Sequence, residues 1–149
     1  MSLKNFGGVL DFAIQVENDD ALFLQQAEKS VQNQETRDLL ERFIRENTKN
    51  AKTLTRARQE NVTEMILEPI QGLEAAEYQV ETADPGPMKE SDILQTISQL
   101  EDRAFRFYQE AAQRMKPVSD VAGTFQRLAK KKKQRLQDLE ALNEPETGS

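Results

Sequence analysis

The chain has 149 residues, 31% of them charged and 6% aromatic, with a net charge of −6 and neither Cys nor His. That length fits one domain spanning residues 1–149 with a continuous core, and the composition favours amphipathic helices over sheet and argues against a nucleic-acid surface. Without Cys there are no disulfides, thiolate metal sites or redox thiols, and without His the commonest transition-metal ligand and general base is missing. No apolar run approaches the roughly 18 residues of a membrane span and no signal-peptide pattern opens the chain, so a cytoplasmic protein without membrane contact is expected.

Four segments carry apolar residues in steps of three and four, the spacing that lines one helix face. The first helix is expected over 8–30, with Leu10, Ala13, Glu17, Leu24, Ala27 and Val31 facing inward. The second is expected over 34–66, through Leu40, Phe43, Asn47, Asn50, Leu54, Ala57 and Val62. A long connection over 67–90 carries Pro69, Gly72, Pro85, Gly86 and Pro87, with a short helix or strand expected within 73–80. The third helix is expected over 91–115, through Leu94, Ile97, Glu101, Ala104, Tyr108, Ala111 and Met115, opened by a capping box of Asp92 and Gln95. The fourth is expected over 119–143, through Val121, Phe125, Leu128, Lys132, Arg135, Leu139 and Leu142, with Ser119 as its N-cap. Gly123 weakens its first turn by about 1 kcal/mol relative to Ala. The tail over 145–149 reads as disordered.

Short turns join helices 1 and 2 and helices 3 and 4, which makes each pair an antiparallel hairpin. Helices of this length stand about 36 Å tall. Twenty-odd extended residues reach roughly twice that, so the connection can cross the bundle. An all-α, up-down-down-up four-helix bundle with a long crossover between helices 2 and 3 follows. The hairpins also resemble each other. Glu17 with Phe23 and Leu24 matches Glu101 with Phe107 and Tyr108 at a shift of 84, and Asn47, Asn50 and Leu54 match Lys132, Arg135 and Leu139 at a shift of 85.

Each apolar stripe is interrupted near its middle by polar residues: Glu17, then Asn47 and Asn50, then Glu101, then Lys132 and Arg135. Counting from the hairpin turns puts all six roughly 20 Å along the bundle, at one level. Buried charges are costly unless paired, so six polar residues meeting at one level point to a designed layer rather than to side chains reaching out to solvent. The charges of Glu17 and Glu101 cancel those of Lys132 and Arg135. Two ion pairs are therefore expected, with Asn47 and Asn50 satisfying spare carboxylate oxygens and Arg135 suited to bidentate pairing. Which glutamate pairs with Lys132 is left open by the spacing.

This arrangement resembles the ferritin-like superfamily, and most closely its rubrerythrin-type domains, across about residues 8–143. Such bundles supply one Glu from each of two helices and Glu-x-x-His from each of the other two to a di-iron site. Their single-Glu helices carry an aromatic pair after the Glu, as Phe107 and Tyr108 follow Glu101 here, and their Glu-x-x-His helices carry a Leu after the motif, as at Leu54 and Leu139. The resemblance implies that Glu17, Asn47, Asn50, Glu101, Lys132 and Arg135 occupy the ligand positions. Only the two glutamates match, and charged Lys and Arg offer no lone pair to a metal. The Cys pairs of a rubredoxin-like module are missing as well. The expectation is a metal-free, non-catalytic structural or interaction protein, forming a homodimer and using no cofactor.

The alternative is an oxidoreductase or peroxidase that keeps a reduced or relocated iron or manganese centre on Glu17 and Glu101 with Glu46. Glu46 stands about 100° around the helix from Asn47, so recruiting it calls for helix rotation. Schiff-base chemistry at Lys132 ranks below both, because neighbouring carboxylates keep the amine charged. Lys130, Lys131 and Lys133 are expected in solvent, as are Asp19 and Asp20. Tyr108 is expected as a hydrogen-bonded core residue, and Phe12, Phe105 and Phe107 as core or interface residues. Phosphate-loop, catalytic-triad and zinc-ligand spacings do not occur.

Overall fold

A computed structural model of the chain describes residues 3–60 and 69–143. Four α-helices make the bundle: α1 (Phe6–Ser30), α2 (Gln34–Glu60), α3 (Glu90–Arg114) and α4 (Ser119–Asn143). The described residues contain no strand, only an isolated antiparallel bridge between Asn5 and Pro69. The expected segment 61–66 of helix 2, with Val62, and the expected disorder over 145–149 lie outside the described residues. No described helix is long and apolar enough to cross a membrane.

The helix limits follow from capping chemistry. Asn5 begins α1 two residues ahead of the expectation, its side-chain oxygen accepting from the Gly8 amide at 2.7 Å. Asn33 does the same for α2, accepting from Thr36 at 3.1 Å. The expected capping box at Asp92 does not form. Lys89 takes the N-cap place without a side-chain bond, and Asp92 lies inside the first turn, where its charge still suits the helix dipole. Ser119 likewise stands one residue inside α4, and the carbonyl of Val118 accepts from the Ala122 amide at 2.9 Å. Within the connection, Ala75–Tyr78 form one 3-10 turn.

Two apolar clusters fill the bundle. One joins Leu10, Ala13, Leu54, Phe107, Tyr108 and Phe125 with residues of the connection, among them Ile70, Leu73 and Tyr78. The other joins Leu24, Leu40, Phe43, Ile97, Leu100 and Leu139. Phe12, Tyr78 and Phe125 surround the Phe107 ring, with centroids 4.9, 5.3 and 6.3 Å away, a packing that favours edge-to-face arrangements. The connection lies against α1 and α3, its start pinned by the Ile70 amide donating to the Lys4 carbonyl at 2.7 Å. Because it covers a second face of α1, that helix buries Phe6, Val9, Phe12 and Val16 besides its inward stripe.

Candidate functional site

Between the two apolar clusters lies the polar layer, and all six expected residues meet in it. Glu17, Asn47 and Lys132 have no exposed surface, and Glu101, Arg135 and Asn50 are buried almost as fully. Each pair on α2 and α4 is spaced by three, so Asn47 and Asn50 project from one face, as do Lys132 and Arg135.

The Lys132 ammonium sits 3.0 Å from Glu17 Oε2 and 3.8 Å from Glu101 Oε2, and donates to Asn47 Oδ1 at 3.1 Å. Both Oε2 atoms thus face the ammonium, Glu17 at the shorter distance. Glu17 Oε1 accepts from Asn50 Nδ2 at 2.7 Å. Lys132 therefore pairs first with Glu17, and Arg135 takes Glu101 at 3.0 Å.

Three details differ from the expectation. Arg135 does not grip one carboxylate with two parallel bonds. Its Nη1 donates to both Glu101 Oε1 and Asn47 Oδ1 (2.5 Å), while Nη2 reaches Glu46 Oε1 at 3.1 Å and the Phe43 carbonyl at 3.3 Å. A guanidinium spreads its donors over five directions, and four acceptors converge on this one from α2 and α3. Asn47 does not serve a carboxylate. Its oxygen faces the two cations, and its amide nitrogen donates to the Glu17 backbone carbonyl at 3.3 Å. Glu46 joins as an ion-pair partner of Arg135 at the rim, a contact the spacing did not suggest. Burial works against the Arg135 charge, but Glu101, Glu17 and Glu46 outweigh it and raise its pKa.

Tyr108 is a buried core residue stacked on Phe125, with its hydroxyl near the Glu17 carboxylate. Desolvation, reinforced by the Glu17 carboxylate, holds its pKa well above the ordinary value. Lys130, Lys131 and Lys133 are exposed as expected.

A second ion pair adjoins the layer, and sequence reading missed it. Asp20 is buried rather than solvated; its Oδ1 accepts from Arg103 Nη2 at 2.5 Å. Arg103 Nη1 donates to the Tyr78 carbonyl at 3.1 Å, which ties the connection to the α1–α3 seam. Burial pushes the Asp20 pKa up to about 7; Arg103 and Lys132 oppose that shift, while Glu101 and Glu17 add to it. A signal was available: Asp20 follows Glu17 by three residues and shares its face.

The donor set does not fit a di-metal centre. Two carboxylates and the Asn47 carbonyl oxygen are turned toward an ammonium and a guanidinium that fill the space between them. Two dications in that space would meet two fixed cations in a medium that screens poorly. Among the described residues, no group of three or more Asp or Glu is placed to hold a metal ion. Compared with protein-family models, curated proteins and solved structures, the chain matches none.

Proposed function

We propose that this chain is a ferritin-like, rubrerythrin-type bundle whose metal site has been replaced by ion pairs, and that it acts as a non-catalytic structural or interaction protein. One observation carries the reading: Lys132 lies between Glu17 and Glu101, the two residues that match single-glutamate ligands of the family. The proposed topology is up-down-down-up, with the connection crossing the bundle. Three sets of contacts support it. Phe12 and Asp20 of α1 meet Phe107 and Arg103 of α3, so those two helices run in opposite senses. Asn47 and Arg42 of α2 meet Lys132 and Asp138 of α4, again in opposite senses. Glu101 and Phe107 of α3 meet Arg135 and Phe125 of α4 in the same manner. A cytoplasmic homodimer formed through an outer helix face belongs to the same proposal; Leu22 on α1 is more than half exposed and lies on such a face.

The test is metal content after expression with iron and manganese supplements. Well under one metal per chain is the expected result. Two metals per chain, with absorbance changes on adding peroxide, would defeat this reading in favour of an oxidoreductase with a relocated centre.

A further inference from the structure

The layer holds more than paired charges. Lys132 Nζ, a primary amine, lies 3.1 Å from the carboxamide oxygen of Asn47, and both side chains are fully buried. The same oxygen accepts from Arg135 Nη1 at 2.5 Å. A guanidinium there draws electrons from the amide carbon and stabilises negative charge developing on the oxygen. Glu17 Oε2 stands 3.0 Å from Nζ, the carboxylate oxygen nearest the amine and placed to take a proton from it. Asn47 Nδ2, the would-be leaving group, is held at the Glu17 carbonyl. Nucleophile, polarised electrophile, base and oxyanion donor thus converge from α1, α2 and α4 without a bound partner.

We propose that this layer is the site of an autocatalytic isopeptide bond between Lys132 and Asn47. Glu17 takes one proton from the Lys132 ammonium, and the transient neutral amine is the nucleophile. The amine attacks Asn47 Cγ, and the tetrahedral oxyanion forms against Arg135. The Cγ–Nδ2 bond then breaks; the attacking nitrogen loses its second proton to the departing group, by way of the neighbouring carboxylates. Ammonia leaves, and Nζ–Cγ becomes a secondary amide. No oxidant or cofactor is consumed. Holding amine and amide in contact replaces the encounter that makes amide exchange slow in water. The product links α2 to α4, which no short turn connects. Glu17 keeps the transferred proton, so with Glu101 and Arg135 still charged the layer stays neutral.

This inference rests on the metal-free reading of the layer, and its readout is separate from metal content. The intact mass of the full chain, incubated for days after purification, is compared with that of Lys132→Arg. After allowing for the substitution, the native chain is expected to be lighter by about 17 Da, the mass of ammonia, and to yield a branched peptide joining the segments around Asn47 and Lys132. Glu17→Gln is expected to slow the appearance of that peptide by about 100-fold or more. Circular dichroism of both variants checks that they fold. A folded native chain that keeps its full mass overturns the proposal, as does a 17 Da loss mapping to a succinimide at Asn47 with no branched peptide. Metal in the protein defeats the proposed function; a metal-free chain of full mass defeats only the bond.

Discussion

The two hairpins bring different chemistry to the same level of the bundle. α1 and α2 contribute one glutamate and two amides, whereas α3 and α4 contribute one glutamate and two cations. Positions related by the 84- to 85-residue shift are thus alike in place and unlike in charge: Asn47 against Lys132, Asn50 against Arg135. Neither hairpin could bury its own polar residues cheaply. The first has an anion with only Asn50 on its carboxylate, and the second carries an excess positive charge. Together their charges cancel when the hairpins dock in this register. A shift by one helical turn, about 5.4 Å, would set charges against the apolar clusters on either side. On this reasoning the layer would favour one register of the assembled bundle over its neighbours.

The largest effect is expected from removing the second hairpin's central cation. Lys132→Met strands Glu17 and should lower unfolding free energy in urea by about 3–5 kcal/mol. Adding Glu17→Leu should recover much of the loss, since the stranded charge is then gone. Asn50→Leu, on the hairpin that supplies only amides, removes one bond to Glu17 and should lose about 1–3 kcal/mol. A neutral Lys132→Met, or one milder than Asn50→Leu, would erase the contrast between the hairpins.

The adjoining Asp20–Arg103 pair sharpens the comparison through pH. The folded pKa of Asp20, about 7, stands above the ordinary 3.8, so between those pH values the folded chain holds a proton that the unfolded chain has released. Asp20 therefore contributes most below about pH 4, and its contribution falls as pH rises to about 7 and is flat beyond. Relative to Asp20→Asn, the native chain should lose on the order of a few kcal/mol of unfolding free energy between pH 4 and 8. Equal pH profiles for the two proteins would place Asp20 in solvent.

The smallest effect lies outside the layer. Gly123 is helical, and a Cβ there would meet nothing within 4 Å. Gly123→Ala should raise unfolding free energy by about 0.5–1 kcal/mol without altering any layer bond.

Residue by residue, the periodicity made much of this visible in advance. Glu17, Asn47, Asn50, Glu101, Lys132 and Arg135 interrupt apolar stripes of fixed phase, and phase alone sends them inward. Arg103 and Glu46 were not legible in that way. Arg103 lies about 200° around α3 from Glu101, on a side that meets Asp20 of α1 and the Tyr78 carbonyl of the connection. Glu46 faces the rim, and a long guanidinium arriving from α4 draws it into the network.

Local sequence settles where helices form and which stripe of each turns inward, because those depend on residues three or four apart along one chain segment. It settles also that the charges of Glu17, Glu101, Lys132 and Arg135 cancel. Which acceptor each donor takes depends on groups far apart in sequence, from 30 residues between Asn47 and Glu17 to 115 (132 − 17) between Lys132 and Glu17, meeting within 3.5 Å. Lys132 beside Glu17, Arg135 divided between Glu101 and Glu46, and Asp20 shut beneath the connection are consequences of how four helices and a strap share one interior. Only the tertiary packing sets those distances, and at hydrogen-bonding range an ångström decides the partner.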